Sequence, residues 1–364
     1  MNETEDKSRR PIHPEITHHA PPPPPPSGKD QTSWVKKFFL SVLVLVLVIS
    51  LFYNAIQFAV ISIYAGSDIT MEVLKQGKSN EIVAVYELQG AIDGSCKKRF
   101  ESFYRTIVND KNVRAVVLRV NSPGGTVSDS TEIHHMIGKI RDSGKKVVVS
   151  MGGVTASGGY MISAPADIIY AQPSTITGSI GVIAMVPNFY GTMEKLGLRI
   201  TTIKSTHSEK WKDRLNPFKE KIEDDEIASL QETLDELQVH FENVVREGRG
   251  DNLDLEVQEP VDPEKNGEEV PVGFTGKTFM AAEAKEIGLV DKIGFVDDAI
   301  SEAARLANLS DHKVIRYSEN TGIMGSLMGA EAKAGSINID AGLLDNLQAP
   351  RILMMWKVRV SPEK

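Results

Sequence analysis

The chain has one cysteine, Cys96, in 364 residues. No intramolecular disulfide can form, so a covalently stapled fold is excluded. The compartment stays open, because a chain can face an oxidising space without using cysteine. The chain has eight histidines, and none occurs between Ser157 and His207. No His, Cys and carboxylate group has ligand spacing, so neither a metal site nor a cofactor is expected. The net charge is −8 with no basic stripe, which argues against a nucleic-acid partner. Charge is missing altogether from Phe38 to Ser67.

That uncharged stretch is the first feature with consequences. At about 1.5 Å rise per residue, the apolar run from Phe38 to Ile63 spans the roughly 30 Å hydrocarbon layer of a bilayer. The tail before it is too long for a signal-peptide n-region, so residues 38–63 read as a retained transmembrane helix. Lys29, Lys36 and Lys37 precede the span, and Asp68 and Glu72 follow it. The positive-inside rule then puts the N-terminus in the cytoplasm and the rest of the chain outside the cell membrane. Residues 1–37, with prolines from Pro21 to Pro26, read as a disordered spacer. Residues 64–80 read as a polar linker.

From Ile82 the pattern changes. Short apolar runs alternate with helical stretches: 82–88, 113–120, 147–149, 168–171, 180–184 and 200–203 read as strands. Thr126 to Ser143 reads as a helix, with Ile133, Ile137 and Ile140 spaced four and three apart. Glu223 to Arg246 reads as a long amphipathic helix with one apolar stripe. Asp251 to Val270 is acidic, with two prolines, and reads as a surface loop or insertion. The alternation predicts an α/β fold with largely parallel strands over residues 81–310, followed by a C-terminal tail, 311–364.

One serine is placed for chemistry. The run Val147-Val148-Val149 leads through Gly152-Gly153 to Ala156-Ser157-Gly158-Gly159-Tyr160. A strand, a sharp turn topped by a serine and a helix beginning beneath it is how a fold presents a nucleophile. A second glycine turn, Asn121-Ser122-Pro123-Gly124-Gly125, also lies between a strand and a helix. Its Gly124 amide, with that of Gly158, can serve an oxyanion. The missing element is a base. His134, His135, His207 and His240 have no spacing that marks a triad. Lysine can serve only if burial lowers its affinity for a proton, and Lys204, Lys210 and Lys212 are the candidates.

Taken together these motifs resemble the signal peptide peptidase A family, membrane-anchored serine–lysine peptidases of the crotonase and Clp protease superfold. The resemblance covers roughly residues 80 to 310. It rests on the two glycine turns, on Thr177-Gly178-Ser179-Ile180-Gly181-Val182, on Ile203-Lys204-Ser205 followed by Lys212-Asp213, and on Gly288-Leu289-Val290-Asp291. It implies a spiral of β-β-α units, with Ser157 as nucleophile and Lys212 as general base. Gly124 is then the oxyanion donor, and Ser179 orients the lysine. The segment between Lys204 and Lys212 is about three residues longer than the family pattern, which leaves Lys210 as runner-up base. Family members form ring-shaped or dome-shaped homo-oligomers with active sites shared between subunits. They cleave unfolded apolar peptides such as remnant signal peptides. The competing readings are a catalytically inactive scaffold on the same fold and a crotonase-type acyl-CoA enzyme. The second is disfavoured because the glycine turns carry no Asp or Glu.

Overall fold

The computed structural model describes residues 31–64, 69–208, 212–254, 256–260, 269–319 and 351–355. The chain divides into two compact units, Met1–Ile63 and Tyr64–Lys364. The first contains helix α1, Gln31–Tyr64. It starts earlier than the expected span, because Gln31 to Lys37 contain no helix breaker. Within it Lys36–Gln57 is long and apolar enough to cross a bilayer. The expected disordered tail lies, up to residue 30, outside the described residues.

The second unit is built on a nine-stranded mixed sheet. Its first strands are β1 (Ile69–Lys75), β2 (Lys78–Gln89) and β3 (Val113–Ser122). Helix α2 (Gly94–Ile107) joins β2 to β3. The short strand β4 (Gly124–Thr126) leads into α3 (Val127–Asp142). Strand β5 (Lys146–Ala156) runs into the short helix α4 (Gly158–Ser163). Next come β6 (Ile168–Ala171), β7 (Ile176–Gly178), β8 (Ile183–Met185) and α5 (Tyr190–Lys195). The long helix α6 (Asp224–Arg249) follows, then the hairpin β9 (Gln258–Pro260) and β10 (Glu269–Pro271). The chain continues through β11 (Thr278–Met280), α7 (Ala281–Glu286), β12 (Lys292–Ile293) and α8 (Val296–Leu306). It closes with β13 (His312–Glu319) and β14 (Arg351–Met355).

The sheet order is β1-β13-β2-β3-β5-β6-β12, with β7 on the far half of β5 and β11 on β7. The pairs β13–β2, β2–β3, β3–β5, β5–β6, β5–β7 and β6–β12 are parallel, as the helix–strand alternation predicts. Both faces are covered, so the strands are apolar almost throughout. Ala84, Tyr86, Val116 and Leu118 face one core with Phe100, Phe103, Ile133 and Ile137. Val83, Val85, Ala115 and Val117 face a second core with Ala299 and Ala303 of α8. Helix α2 is not among the elements expected from sequence. It was legible in Cys96, Phe100, Phe103 and Ile107, spaced four, three and four apart, behind the N-cap Asp93, whose carboxylate accepts from the Ser95 and Cys96 amides. The Phe103 ring stacks on Tyr86 at 4.5 Å between centroids, a contact worth about 1 kcal/mol beyond its buried area.

Expected boundaries move, and the strand expected at 180–184 forms only over Ile183–Met185. The stretch 64–80 is not only a linker, since it holds β1 and the start of β2. Strand β1 is an exposed antiparallel edge strand on β13, marked in the sequence only by the short alternation of Ile69, Met71 and Val73 with Thr70 and Glu72. Residues 312–319, assigned to the tail, form β13 between β1 and β2. Residues 200–203 form no strand. They are β-branched but have no sheet neighbour, and Ile203 is 93% exposed.

Candidate active site

The two glycine turns meet. The register of β3 with β5 carries Ser122 opposite Thr155. A Cβ at Gly159 would lie 2.7 Å from the Ser122 carbonyl oxygen, and one at Gly158 only 3.2 Å from the Gly125 nitrogen and 3.3 Å from Gly124 Cα. Only glycine allows this approach. Threonine hydroxyls brace the strands below. Thr155 Oγ1 donates to the Val120 carbonyl at 2.7 Å, and Thr177 Oγ1 donates to the Thr155 carbonyl at 2.6 Å.

Ser157 tops this arrangement, 1% exposed. Its backbone, at φ 54° and ψ −120°, lies where L-residues are rarely found. Such a conformation costs about 1–3 kcal/mol and persists only where surrounding bonds fix it. Here the Ser157 N–H donates to the Gly178 carbonyl at 2.8 Å, and the Ser157 carbonyl accepts from the Tyr160 and Met161 amides. Its hydroxyl donates to the Gly181 carbonyl at 3.4 Å, a long contact that leaves it easily redirected.

Ser179 is brought beside it. Gly178 pairs with Ala156 in the parallel β5–β7 ladder, so Ser157 and Ser179 each follow the last paired residue of adjacent strands. Ser179 also has positive φ, 50°, and its N–H donates to the Lys277 carbonyl at 2.7 Å.

The Gly124 N–H donates to Ser122 Oγ at 3.1 Å, across a turn with φ 98°. On one edge of β4, Ile92 N–H donates to the Gly124 carbonyl and Thr126 N–H donates to the Ile92 carbonyl. The N–H and C=O of Gly125, between them, therefore face the opposite edge, where β14 lies.

Lys212 is not joined to this group within one chain. It is exposed, its N–H donates to the Ser208 carbonyl at 3.0 Å, and its amine has no hydrogen bond to Ser157 or Ser179. Lys210 lies outside the described residues. His134, on α3, is held below the ordinary histidine pKa by burial and by neighbouring His240, and it makes no hydrogen bond to Ser157.

A buried anchor explains the Gly288–Asp291 motif, to which spacing alone assigns no role. Tyr160 of α4 donates to the Leu289 carbonyl at 2.8 Å. Arg249, at the end of α6, donates to the Gly288 carbonyl at 3.0 Å and pairs with Asp291 at 2.6 Å. The other Asp291 oxygen accepts from the Ile169 amide at 2.7 Å. The helix beneath Ser157 is thereby fixed to β6 and α6.

The structure thus holds a strained serine between two glycine turns on a mixed α/β sheet. Residues 139–310 match peptidase family S49. The chain is 34% identical over 279 residues to a putative signal peptide peptidase SppA of Enterococcus faecium, covering 73% of this chain and 76% of that protein. It is 32% identical over 303 residues to a putative protease of Methanocaldococcus jannaschii, with coverage of 80% and 90%. A putative protease of Synechocystis matches at 34% identity over 269 residues, with coverage of 73% and 90%. The chain belongs to peptidase family S49, the serine peptidases that include signal peptide peptidase SppA.

Proposed function

We propose that this chain is a membrane-anchored serine endopeptidase using a Ser157–Lys212 dyad, and that it degrades remnant signal peptides and other unfolded apolar peptides. The observation that carries this reading is the conformation of Ser157, held at φ 54° against two abutting glycine turns. Nothing in the packing of a bland turn requires that strain. Lys212 takes the proton from the Ser157 hydroxyl, which attacks the peptide carbonyl, and the proton passes to the leaving amine. A water activated by the same amine then hydrolyses the acyl-enzyme. The Gly158 and Gly124 amides hold the oxyanion. The Gly124 amide gives up Ser122 Oγ for it, because a charged acceptor outcompetes a neutral hydroxyl. Ser179 orients the lysine amine.

Lys212 reaches Ser157 from a neighbouring copy. Two facts support a shared site. The lysine is exposed in a single chain, whereas a lysine base needs a dry surrounding. The stretch that leads to it also leaves Leu196, Leu198, Ile200 and Ile203 exposed, an apolar surface suited to a homo-oligomer. Helix α1 anchors the assembly in the cell membrane with the N-terminus cytoplasmic and the peptidase unit outside.

The test is complementation in detergent-solubilised protein. Ser157→Ala and Lys212→Ala are each expected to lose at least about 10³-fold in kcat/KM on an apolar reporter peptide. Mixed and reassembled, the two inactive variants regain activity, since some interfaces combine an intact serine with an intact lysine. Near-normal activity of either single variant overturns the dyad. Dead variants that never complement overturn the shared site.

A further inference from the structure

One buried hydroxyl beside the glycine turns is without a partner. Ser130, near the start of α3, is 0% exposed, and its Oγ has no hydrogen bond among the described residues. A helical hydroxyl commonly satisfies itself on the carbonyl one turn back. Thr131, the next residue, does so on the Val127 carbonyl at 2.9 Å, and Ser163 of α4 does so on the Gly159 carbonyl at 2.8 Å. Ser130 makes no such bond to the Thr126 carbonyl. Its oxygen stands instead 2.5 Å from where a Cβ of Gly158 would be. The Gly125 nitrogen at 3.2 Å and Gly124 Cα at 3.3 Å enclose the same point. In a helix the Cα–Cβ bond tilts toward the N-terminus, the direction in which the first N–H groups also point. Gly158 is the first residue of α4, so its N–H has no acceptor inside the helix. The side of Gly158 that meets the Ser130 hydroxyl is therefore the side to which its N–H is directed.

We propose that Ser130 is a further catalytic residue, whose hydroxyl donates a third hydrogen bond to the oxyanion held by the Gly158 and Gly124 amides. The inference rests on the reading of Ser157 as nucleophile. When Ser157 Oγ bonds to the peptide carbonyl carbon, the electron pair of the C=O bond moves onto the oxygen. That oxygen settles on the Gly158 amide, beside the Ser130 hydroxyl and the Gly124–Gly125 turn. The Ser130 O–H has no other acceptor to leave, so it turns to the new charge. Its proton stays on its own oxygen throughout. The electron pair returns to the C=O bond as the leaving amine departs with the proton that the base delivers. A buried hydroxyl without a partner carries the full penalty of its lost hydration. Here that penalty is relieved only when the charged oxygen forms, so the bond favours the transition state over the bound peptide. The absence of a side chain at Gly158 is what leaves room for the hydroxyl, since a Cβ there would collide with it.

The experiment compares the full-length chain with its Ser130→Ala form, both solubilised in detergent. The substitution removes one oxygen that has no partner, so the urea midpoint is expected not to fall. Two inhibitors carry the same apolar peptide. One is an aldehyde, whose adduct on Ser157 puts an oxygen where the oxyanion stands; the other is the matching alcohol, which forms no adduct. Ser130→Ala is expected to lose about 10²-fold in kcat on an apolar reporter peptide, with KM within about 2-fold of wild type. It should bind the aldehyde at least about 10-fold more weakly and the alcohol equally well. Unchanged kcat and unchanged aldehyde affinity overturn the inference and leave the peptidase reading intact. Equal weakening of both inhibitors, with a lowered urea midpoint, also overturns it and gives Ser130 a packing role. A wild-type chain that neither cleaves the reporter nor takes up the aldehyde overturns the peptidase reading itself.

Discussion

Ser157 holds a backbone conformation that serine does not choose, and the strain makes a prediction of its own. Glycine adopts φ 54° without penalty, at a cost of about 0.5–1 kcal/mol in unfolded-chain entropy. Ser157→Gly is therefore expected to stabilise the chain by about 1 kcal/mol while abolishing peptidase activity, whereas Ser157→Ala abolishes activity without that gain. Urea unfolding midpoints of the two variants check this. An opposite result is expected at Gly125. A Cβ there would stand 1.9 Å from the Ile92 carbonyl oxygen, inside any tolerable contact and against backbone that cannot rotate away. Gly125→Ala should both destabilise the chain and lower kcat/KM by about 10² or more, read by the same denaturation series and a peptide assay. At this scale the sequence was informative about identity and silent about contact. The two glycine turns and Ser157 were legible because paired glycines around one serine, at the end of an apolar strand, serve to present its hydroxyl. The bond from the Gly124 amide to Ser122 Oγ was not, because a hydroxyl's partner depends on a turn geometry that spacing does not encode.

At the scale of elements, two buried anchors hold the helices that frame the site. Arg249 is 3% exposed and ties α6 to the loop that receives Tyr160 of α4. Arg249→Ala leaves the partly buried Asp291 carboxylate without its cation and the Gly288 carbonyl without its donor, and should cost about 3 kcal/mol, measured by equilibrium denaturation. On the other face, Glu302 of α8 is held by Arg305 and by Lys292 of β12. The hydrogen bond from Arg305, then that from Lys292, brings its carboxyl down to a pKa of about 2. A lowered folded-state pKa contributes stability that is complete above the unfolded value near 4.5 and lost as pH falls toward 2. Glu302→Gln should lower the urea midpoint at pH 7, and its deficit should vanish at about pH 2. Element type was well marked where packing imposes a period, as in α3, α6 and the parallel strands. It was poorly marked at the sheet's edge, where the alternation of Ile69, Met71 and Val73 is short and mostly exposed, and at 200–203, where a β-branched run stands exposed in the single chain.

For the whole molecule, the chain assembles one half of the proposed catalytic group and leaves the other half apart. Ser157, both glycine turns and Ser179 come together through the β3–β5–β7 ladder, and Lys212 remains in solvent. Nothing in a linear sequence distinguishes a lysine that meets its serine within one chain from one that meets it across an interface, since both need only the same residue at the same position. Residues 351–355 illustrate the same limit: read alone they are five residues of a tail, and their meaning lies in the two strand edges they join. The most direct measurement of the central claim is labelling by a fluorophosphonate, with the adduct mapped by peptide mass spectrometry in detergent-solubilised oligomers. A single adduct is expected on Ser157 in the wild-type chain, with labelling slowed about 10³-fold in Lys212→Ala. An adduct on another residue, or equal labelling of Ser157 in both proteins, would contradict the account.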